Sequence, residues 1–328
     1  MQNSHNFRVG FQQFANRCPE TTKPGRDAFL WYMEESRRLN THALSMGPIK
    51  RIPDGERLDS GFMPYEDMGY VREMAAVAKE YDVDFICHTQ ATICLSGKLH
   101  PAYGPNTMTS AQAHEVFEKT IEVCEAFDIK TISVGYGRLN FKTGRYNPKA
   151  PFAKVKEYMV ANLREAGRML EGTDIMMAYE NHCDFSGKEI ASVLEEVNHP
   201  NVGGLYDVGN AASVLLDPND DIDYLAPWAV AMHFKDMKVI DNPVLEHLWQ
   251  DMPVIYKGCL LGEGIIDFDR VMTAVCEKAL RKQNMPILSE PAFILPENHY
   301  NCLEEMHQFD RECTYQFVDF MQKLVARF

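Results

Sequence analysis

The chain has 328 residues, enough for one large α/β domain or two ordinary ones. Hydrophobic residues at 45% and charged residues at 24% are those of an ordinary globular protein, while a net charge of −14, from 47 acidic against 33 basic residues, disfavours duplex DNA and anionic membrane as partners, since both need their phosphates neutralised. The opening MQNSHNFRVGFQQF lacks a secretory pattern, no run nears the ~18 apolar residues of a membrane span, and nine scattered cysteines with no C-x-x-C pair point to free thiols and a cytoplasmic setting.

From the N-terminus onward, short β-like runs alternate with amphipathic stretches. The first strand is expected in FRVGFQQF, 7–14, ahead of a helix in GRDAFLWYMEESRRLN, where Phe29, Leu30 and Met33 recur at helical spacing. HALSMG, 42–47, is the second strand; the helix YVREMAAVAKEYD and the third strand VDFICHTQ, 83–90, follow it. A Thr or Ser cap opens the helix in TSAQAHEVFEKTIEVCEAFD, and the fourth strand is KTISVGYG, 130–137. The helix FAKVKEYMVANLREAGRMLEG leads to the fifth strand, DIMMAYEN, 174–181. GKEIASVLEEVN, the sixth strand VGGLYDVGN at 202–210, a short helix near DYLAPW and the seventh strand VAMHFKDMK at 230–238 continue the rhythm. It closes with DFDRVMTAVCEKALRKQ, the eighth strand MPILSEP at 285–291, and a C-terminal helix.

Eight apolar strands, each followed by a helix, are what a parallel sheet with right-handed crossovers requires. The count predicts a single (β/α)8 TIM barrel over residues 1–328, with long loops at 91–109, 138–151 and 239–264 around its C-terminal mouth. An open doubly wound sheet is the rival architecture. It would carry a Gly-rich phosphate loop after an early strand, and RVGFQQFANR has none.

In such a barrel, side chains at the C-terminal strand ends converge on one mouth. Strands five to eight end in Glu180 (AYENH), Asp207 (LYDVGN), His233 (MHFKD) and Glu290 (LSEP), separated by 27, 26 and 57 residues. An acid or histidine at one strand end is ordinarily a solvated terminus. Three carboxylates and an imidazole brought together would repel or neutralise one another unless a cation held them. Mixed oxygen and nitrogen donors suit Mn²⁺ first, with Mg²⁺, Co²⁺ or Zn²⁺ as alternatives.

AYENH, GLYDVGN, VAMHFKDM, LLGEGIIDF and ILSEP, in this order, resemble the xylose isomerase-like barrels, in particular the sugar phosphate isomerase/epimerase group. The likeness is close over 174–291 and looser before it. It implies that Glu180, Asp207, His233 and Glu290 are metal ligands. It further implies that Glu180 and Glu290 flank the substrate, exchanging a proton at a carbon next to a carbonyl while the metal stabilises the enediolate oxygen. The function expected is that of a metal-dependent sugar isomerase or epimerase acting on a small sugar or glycoside, as a homo-oligomer or beside a partner subunit.

His88, at the end of strand three, and His182, two residues past Glu180, are candidates for substrate binding, as are Asn210 and Lys235. Lys235 shares the side of His233 in a strand of period two, so its ammonium can neutralise a ligand carboxylate or meet a substrate oxygen. Asp236 is expected to cap the next segment. The Gly-Glu-Gly of LLGEGIIDF is a candidate phosphate loop, although loop closure accounts for it more simply. Phe11, Phe14, Tyr136 and Trp249 are candidate walls for a sugar ring, against the ordinary expectation that barrel aromatics are core.

Two departures bear on the function. Apurinic endonucleases of the same barrel build a three-zinc cluster with additional histidines; here Asn210 stands three residues after Asp207, where a second histidine would be, and the D-x-H pair after strand seven is missing. A DNA repair nuclease is therefore disfavoured, and the narrower ketose 3-epimerase assignment is weakened. An inosose dehydratase-like lyase, a subunit cleaving C-glycosides through a 3-keto-glycoside, and a non-catalytic sugar-binding barrel are the remaining alternatives.

Overall fold

The computed structural model describes residues 6–19, 21–23, 25–50, 62–89, 91–101, 108–136, 147–182, 185–241, 254–291, 294 and 302–328. Eight parallel strands close on themselves: β1 Asn6–Phe11, β2 Ala43–Ile49, β3 Asp84–His88, β4 Thr131–Gly135, β5 Met176–Glu180, β6 Val202–Asp207, β7 Ala229–Phe234 and β8 Gln283–Ser289. Each pairs with its neighbours in chain order, and β8 pairs with β1 to complete the ring. The (β/α)8 barrel expected from the rhythm of the sequence is therefore the architecture, and no open sheet edge remains between first and last strand.

Eight helices follow the strands: α1 Arg26–Leu39, α2 Met68–Glu80, α3 Ser110–Phe127, α4 Phe152–Met169, α5 Gly187–Val197, α6 Ile222–Leu225, α7 Phe268–Lys278 and α8 Leu303–Val325. Their starts are written locally. Thr109 with Gln112 and Ser186 with Glu189 form reciprocal capping boxes on α3 and α5, and the Asp67 and Asp267 carboxylates accept from backbone N–H groups of α2 and α7; each such cap is worth about 1 kcal/mol. The stripe Ile190, Val193, Leu194 and Val197 of α5 is buried against the sheet, a burial of roughly 1.5–3 kcal/mol per side chain.

Strand alternation divides the core in two. Outward residues such as Leu44, Phe85, Ile132, Met177, Tyr179, Met232 and Ile287 pack under the helices in one large cluster. Ala43, Ile86, Ala178, Leu205, Val230, Ala231 and Leu288 form a second, small cluster inside the barrel. Among the described residues no helix is long and apolar enough to cross a membrane.

The seventh strand is shorter than the sequence suggests. It ends at Phe234, and a separate strand, Asp236–Asp241, turns away to pair antiparallel with Val254–Cys259. The cause is Asp236. Its carboxylate accepts backbone N–H groups of Gly262 and Gly264 at 2.9 Å each, of Met237 at 2.8 Å and of Ile266 at 3.3 Å. The Gly-Glu-Gly loop is wound around this side chain, and a Cβ on Gly264 would overlap the carboxylate. Loop closure, rather than phosphate binding, is thus what the loop does: its amides already hold an anion, the protein's own.

Candidate metal centre

The inward position at the C-terminal end of every barrel strand is polar: Gln12 after β1, Ser45 in β2, His88 in β3, Ser133 in β4, Glu180 in β5, Asp207 in β6, His233 in β7 and Glu290 after β8. Two residues before His88, Glu180, Asp207, His233 and Glu290 stand Ile86, Ala178, Leu205, Ala231 and Leu288, all in the inner apolar cluster. A period of two therefore stacks a charged layer on an apolar floor.

The four strand-end residues meet as expected. One ligand atom from each of Glu180, Asp207, His233 and Glu290 lies within 4.8 Å of the others. His233 Nδ1 is 2.9 Å from Glu290 Oε2 and 3.4 Å from Glu180 Oε1. Asn181 fixes the backbone of Asp207 through two hydrogen bonds of 2.8 Å, donating to its carbonyl and accepting from its N–H, and the Gly209 N–H donates to Asp207 Oδ1 at 2.9 Å. Lys235 Nζ lies 2.8 Å from Asp207 Oδ2 and 2.9 Å from Glu290 Oε1, and donates to Asn210 Oδ1 at 3.0 Å. Asn210 turns its amide to Glu180 Oε1, 3.4 Å away.

Electrostatics follow from this crowding. Burial pushes Asp207 up to about 6, with Glu290 and Glu180 adding to the effect and Lys235 opposing it. Burial alone would raise Glu180 and Glu290 as well, but the hydrogen bond and charge of His233 hold Glu180 below the usual range, and Lys235 with His233 holds Glu290 well below it. His233 loses to burial and gains more from Glu180 and Glu290, rising to about 10. Lys235 is likewise lifted by Asp207 and Glu290 against its own burial. Without a metal, the imidazolium and the ammonium are the cations that hold three carboxylates together.

The donor set fits a divalent ion. Three carboxylates and one imidazole supply hard oxygen with one nitrogen. Asp207 Oδ2 is buried against the Lys235 ammonium, 2.8 Å away, and a carboxylate oxygen has a second lone pair to offer a cation. To serve as a ligand, a protonated His233 would have to release a ring proton to solvent, freeing that nitrogen's lone pair for the ion.

The four residues expected to bind substrate divide into two pairs. His88 is open to solvent at the mouth, with Nδ1 3.3 Å from Ser133 Oγ, and enclosure on its other sides lowers its pKa. His182 is half-buried near Glu180, and its Cβ lies where a side chain on Gly135 would project. Asn210 and Lys235, only 1% and 2% exposed, are built into the charged cluster itself. Of the candidate aromatic walls, Phe11 and Tyr136 are buried in the outer core, Tyr136 packing edge-on against Tyr179 at 5.3 Å. Phe14 is exposed, and Trp249 lies outside the described residues.

Sequence reasoning missed Gln12 and Asn181. The Gln12 amide sits across the His233 ring, 2.9 Å from Nε2 and 3.5 Å from Nδ1. Its signal was the alternation Gly10, Gln12 in the first strand. Asn181 is adjacent to Glu180 and faces the neighbouring strand, and nothing in AYENH distinguishes it from a solvated strand end.

The model of the xylose isomerase-like TIM barrel family matches residues 50–283. A 3-oxo-isoapionate decarboxylase from Pectobacterium atrosepticum is 24% identical over 161 residues, which are 49% of this chain and 52% of that protein, so the chain spans about half of this curated relative. Two solved structures superpose along nearly the whole chain. D-psicose 3-epimerase with D-tagatose, from Clostridium cellulolyticum H10, has a TM-score of 0.60 at 13% identity, covering 97% of this chain and 99% of that one. The IolI protein with a bound zinc atom has a TM-score of 0.60 at 13% identity, covering 98% of each chain. At such identities the two structures show a shared fold.

Proposed function

The chain belongs to the xylose isomerase-like TIM barrel family, and on that premise we propose that it is a divalent-metal-dependent enzyme that isomerises or epimerises a sugar or sugar derivative by moving a proton at a carbon next to a carbonyl. The observation that carries this reading is the approach of Glu180 and Glu290 to one imidazole, with Asp207 closing the set within 4.8 Å.

Glu180, Asp207, His233 and Glu290 would hold the ion. When bound, a divalent cation, Mn²⁺ by the mixed donor set, supplies Lewis acidity toward the oxygen on which negative charge develops. The chain's own residues do the rest. Glu180 and Glu290 come from β5 and the end of β8, on either side of β6 and β7, so they reach a substrate from different directions. One takes the proton and the other returns it, a contribution of roughly 10²- to 10⁴-fold in rate. Lys235 and Asn210 orient Glu290, Asp207 and Glu180, while His88 and His182 meet substrate hydroxyls at the mouth. The apolar floor beneath keeps water from below.

A lyase is the second reading, favoured by the partial match to a decarboxylase and by Asn210 at the position of an expected histidine. A carbanion next to a carbonyl forms when CO₂ is lost just as when a proton is lost, and the same charged layer serves either.

A proton-exchange NMR screen in D₂O with added Mn²⁺ tests both, using keto-sugars, inososes, 3-keto-glycosides and 3-oxo sugar acids. Metal-dependent deuterium incorporation with an epimerised or isomerised product is expected. A dehydrated product, a released aglycone or released CO₂ selects the lyase. Affinity for a sugar with no incorporation and no product would leave a binding protein and contradict both readings.

A further inference from the structure

Lys235 is anomalous for a lysine: its side chain is 2% exposed at the floor of a mouth, and its ammonium is surrounded by oxygens. Asp207 Oδ2, Glu290 Oε1 and Asn210 Oδ1 lie 2.8, 2.9 and 3.0 Å from Nζ. Two of the three belong to carboxylates of the candidate metal set, so the ammonium sits beside that set as a fixed neighbouring cation.

The surroundings are shaped for it. Gly209 borders the lysine stem so closely that a Cβ there would overlap Lys235 Cγ. Asn210 presents its amide oxygen to the ammonium and its amide N–H to Glu180 Oε1. A histidine at 210 could not do both with an oxygen acceptor. The consecutive Gly209 and Asn210 of DVGN are thus a cradle for the ammonium.

We propose that Lys235 is the resident second cation of the centre, occupying the place between Asp207, Glu290 and Asn210 that would otherwise draw a second divalent ion, and so restricting the centre to one. The inference rests on the reading of Glu180, Asp207, His233 and Glu290 as a metal set. Charge supports it: three carboxylates balance one divalent ion plus one ammonium when His233 is a neutral ligand. A second divalent ion would face repulsion from the ammonium across a few ångströms of low-dielectric interior.

Equilibrium dialysis against Mn²⁺ and, separately, Zn²⁺ at pH 8, with metal counted by mass spectrometry, tests it on the full chain. Wild type should saturate at one ion per chain. Lys235→Ala, which removes the charge and opens the space, should bind the first ion on the order of tenfold more tightly and take up a second. Lys235→Arg should remain at one. Two ions in wild type, or a Lys235→Ala protein that still saturates at one ion, would overturn the inference while leaving the metal set intact. No ion at all in wild type would instead remove the metal set. Should Lys235→Ala not fold, Lys235→Gln drops the charge and leaves a neutral oxygen in its place: uptake of a second ion supports the inference, and saturation at one ion overturns it.

Discussion

Asp207 and Lys235 form an ion pair sealed from water, 2.8 Å apart with side chains 0% and 2% exposed. Removing one member of a buried pair leaves the other charge without its partner, at a cost of about 3–5 kcal/mol. Glu290 and Asn210 remain to hold the ammonium, and burial already penalises the ionised Asp207 enough to raise its carboxyl to about 6, so Asp207→Asn should destabilise by clearly less than that range. Urea denaturation of metal-free protein measures it; an unchanged midpoint would mean that Lys235 draws no stability from Asp207.

Glu180→Gln and Glu290→Gln keep shape and volume while removing the carboxylate that moves a proton. Each variant should retain the barrel by circular dichroism and lose turnover by at least about 10²-fold. Wild-type activity in either would remove that residue from the proton-transfer pair.

Chelation should abolish activity without unfolding the chain, because His233 and Lys235 already bridge the carboxylates when no metal is bound. Mn²⁺ should restore activity better than Ca²⁺, which prefers six to eight oxygen ligands. Full activity in protein verified metal-free by mass spectrometry would contradict the site's assignment.

Asp221, which is not among the four candidate ligands, provides a second pH dependence. Burial pushes its carboxyl up to about 7, and Oδ2 is buried without a partner. An unfolded Asp titrates near 3.9, so between these values the folded state holds a proton that the unfolded state has lost. Its contribution is complete below about pH 4 and lost as pH rises through 7, amounting to roughly 2–4 kcal/mol. Asp221→Asn stays neutral and should be more stable than wild type at pH 8 and nearly equal to it at pH 4. Parallel stability profiles of the two proteins would refute this.

The barrel was legible because its strands are apolar and short and its helices carry their caps in sequence. All eight expected strands are present, displaced by a few residues at their ends. The convergence of the candidate metal ligands was legible for a related reason: Glu180, Asp207, His233 and Glu290 each close an apolar run that gives them no reason to be there. What stayed hidden depends on contacts between distant segments. The end of β7 at Phe234 is decided by four backbone N–H groups that reach Asp236, three of them from residues 262–266. The burial of Lys235 depends on Gly209, a neighbour across the sheet that no local pattern announces. Gln12 reaches His233 only because β8 closes the ring onto β1.

The most direct test is an anomalous difference map from a crystal soaked in Mn²⁺. A single peak bonded to Glu180, Asp207, His233 and Glu290 at about 2.0–2.3 Å is expected, with the Lys235 ammonium still between Asp207 and Glu290. A map with no peak among those four side chains, in crystals whose solution counterpart is active with Mn²⁺, would contradict the metal assignment.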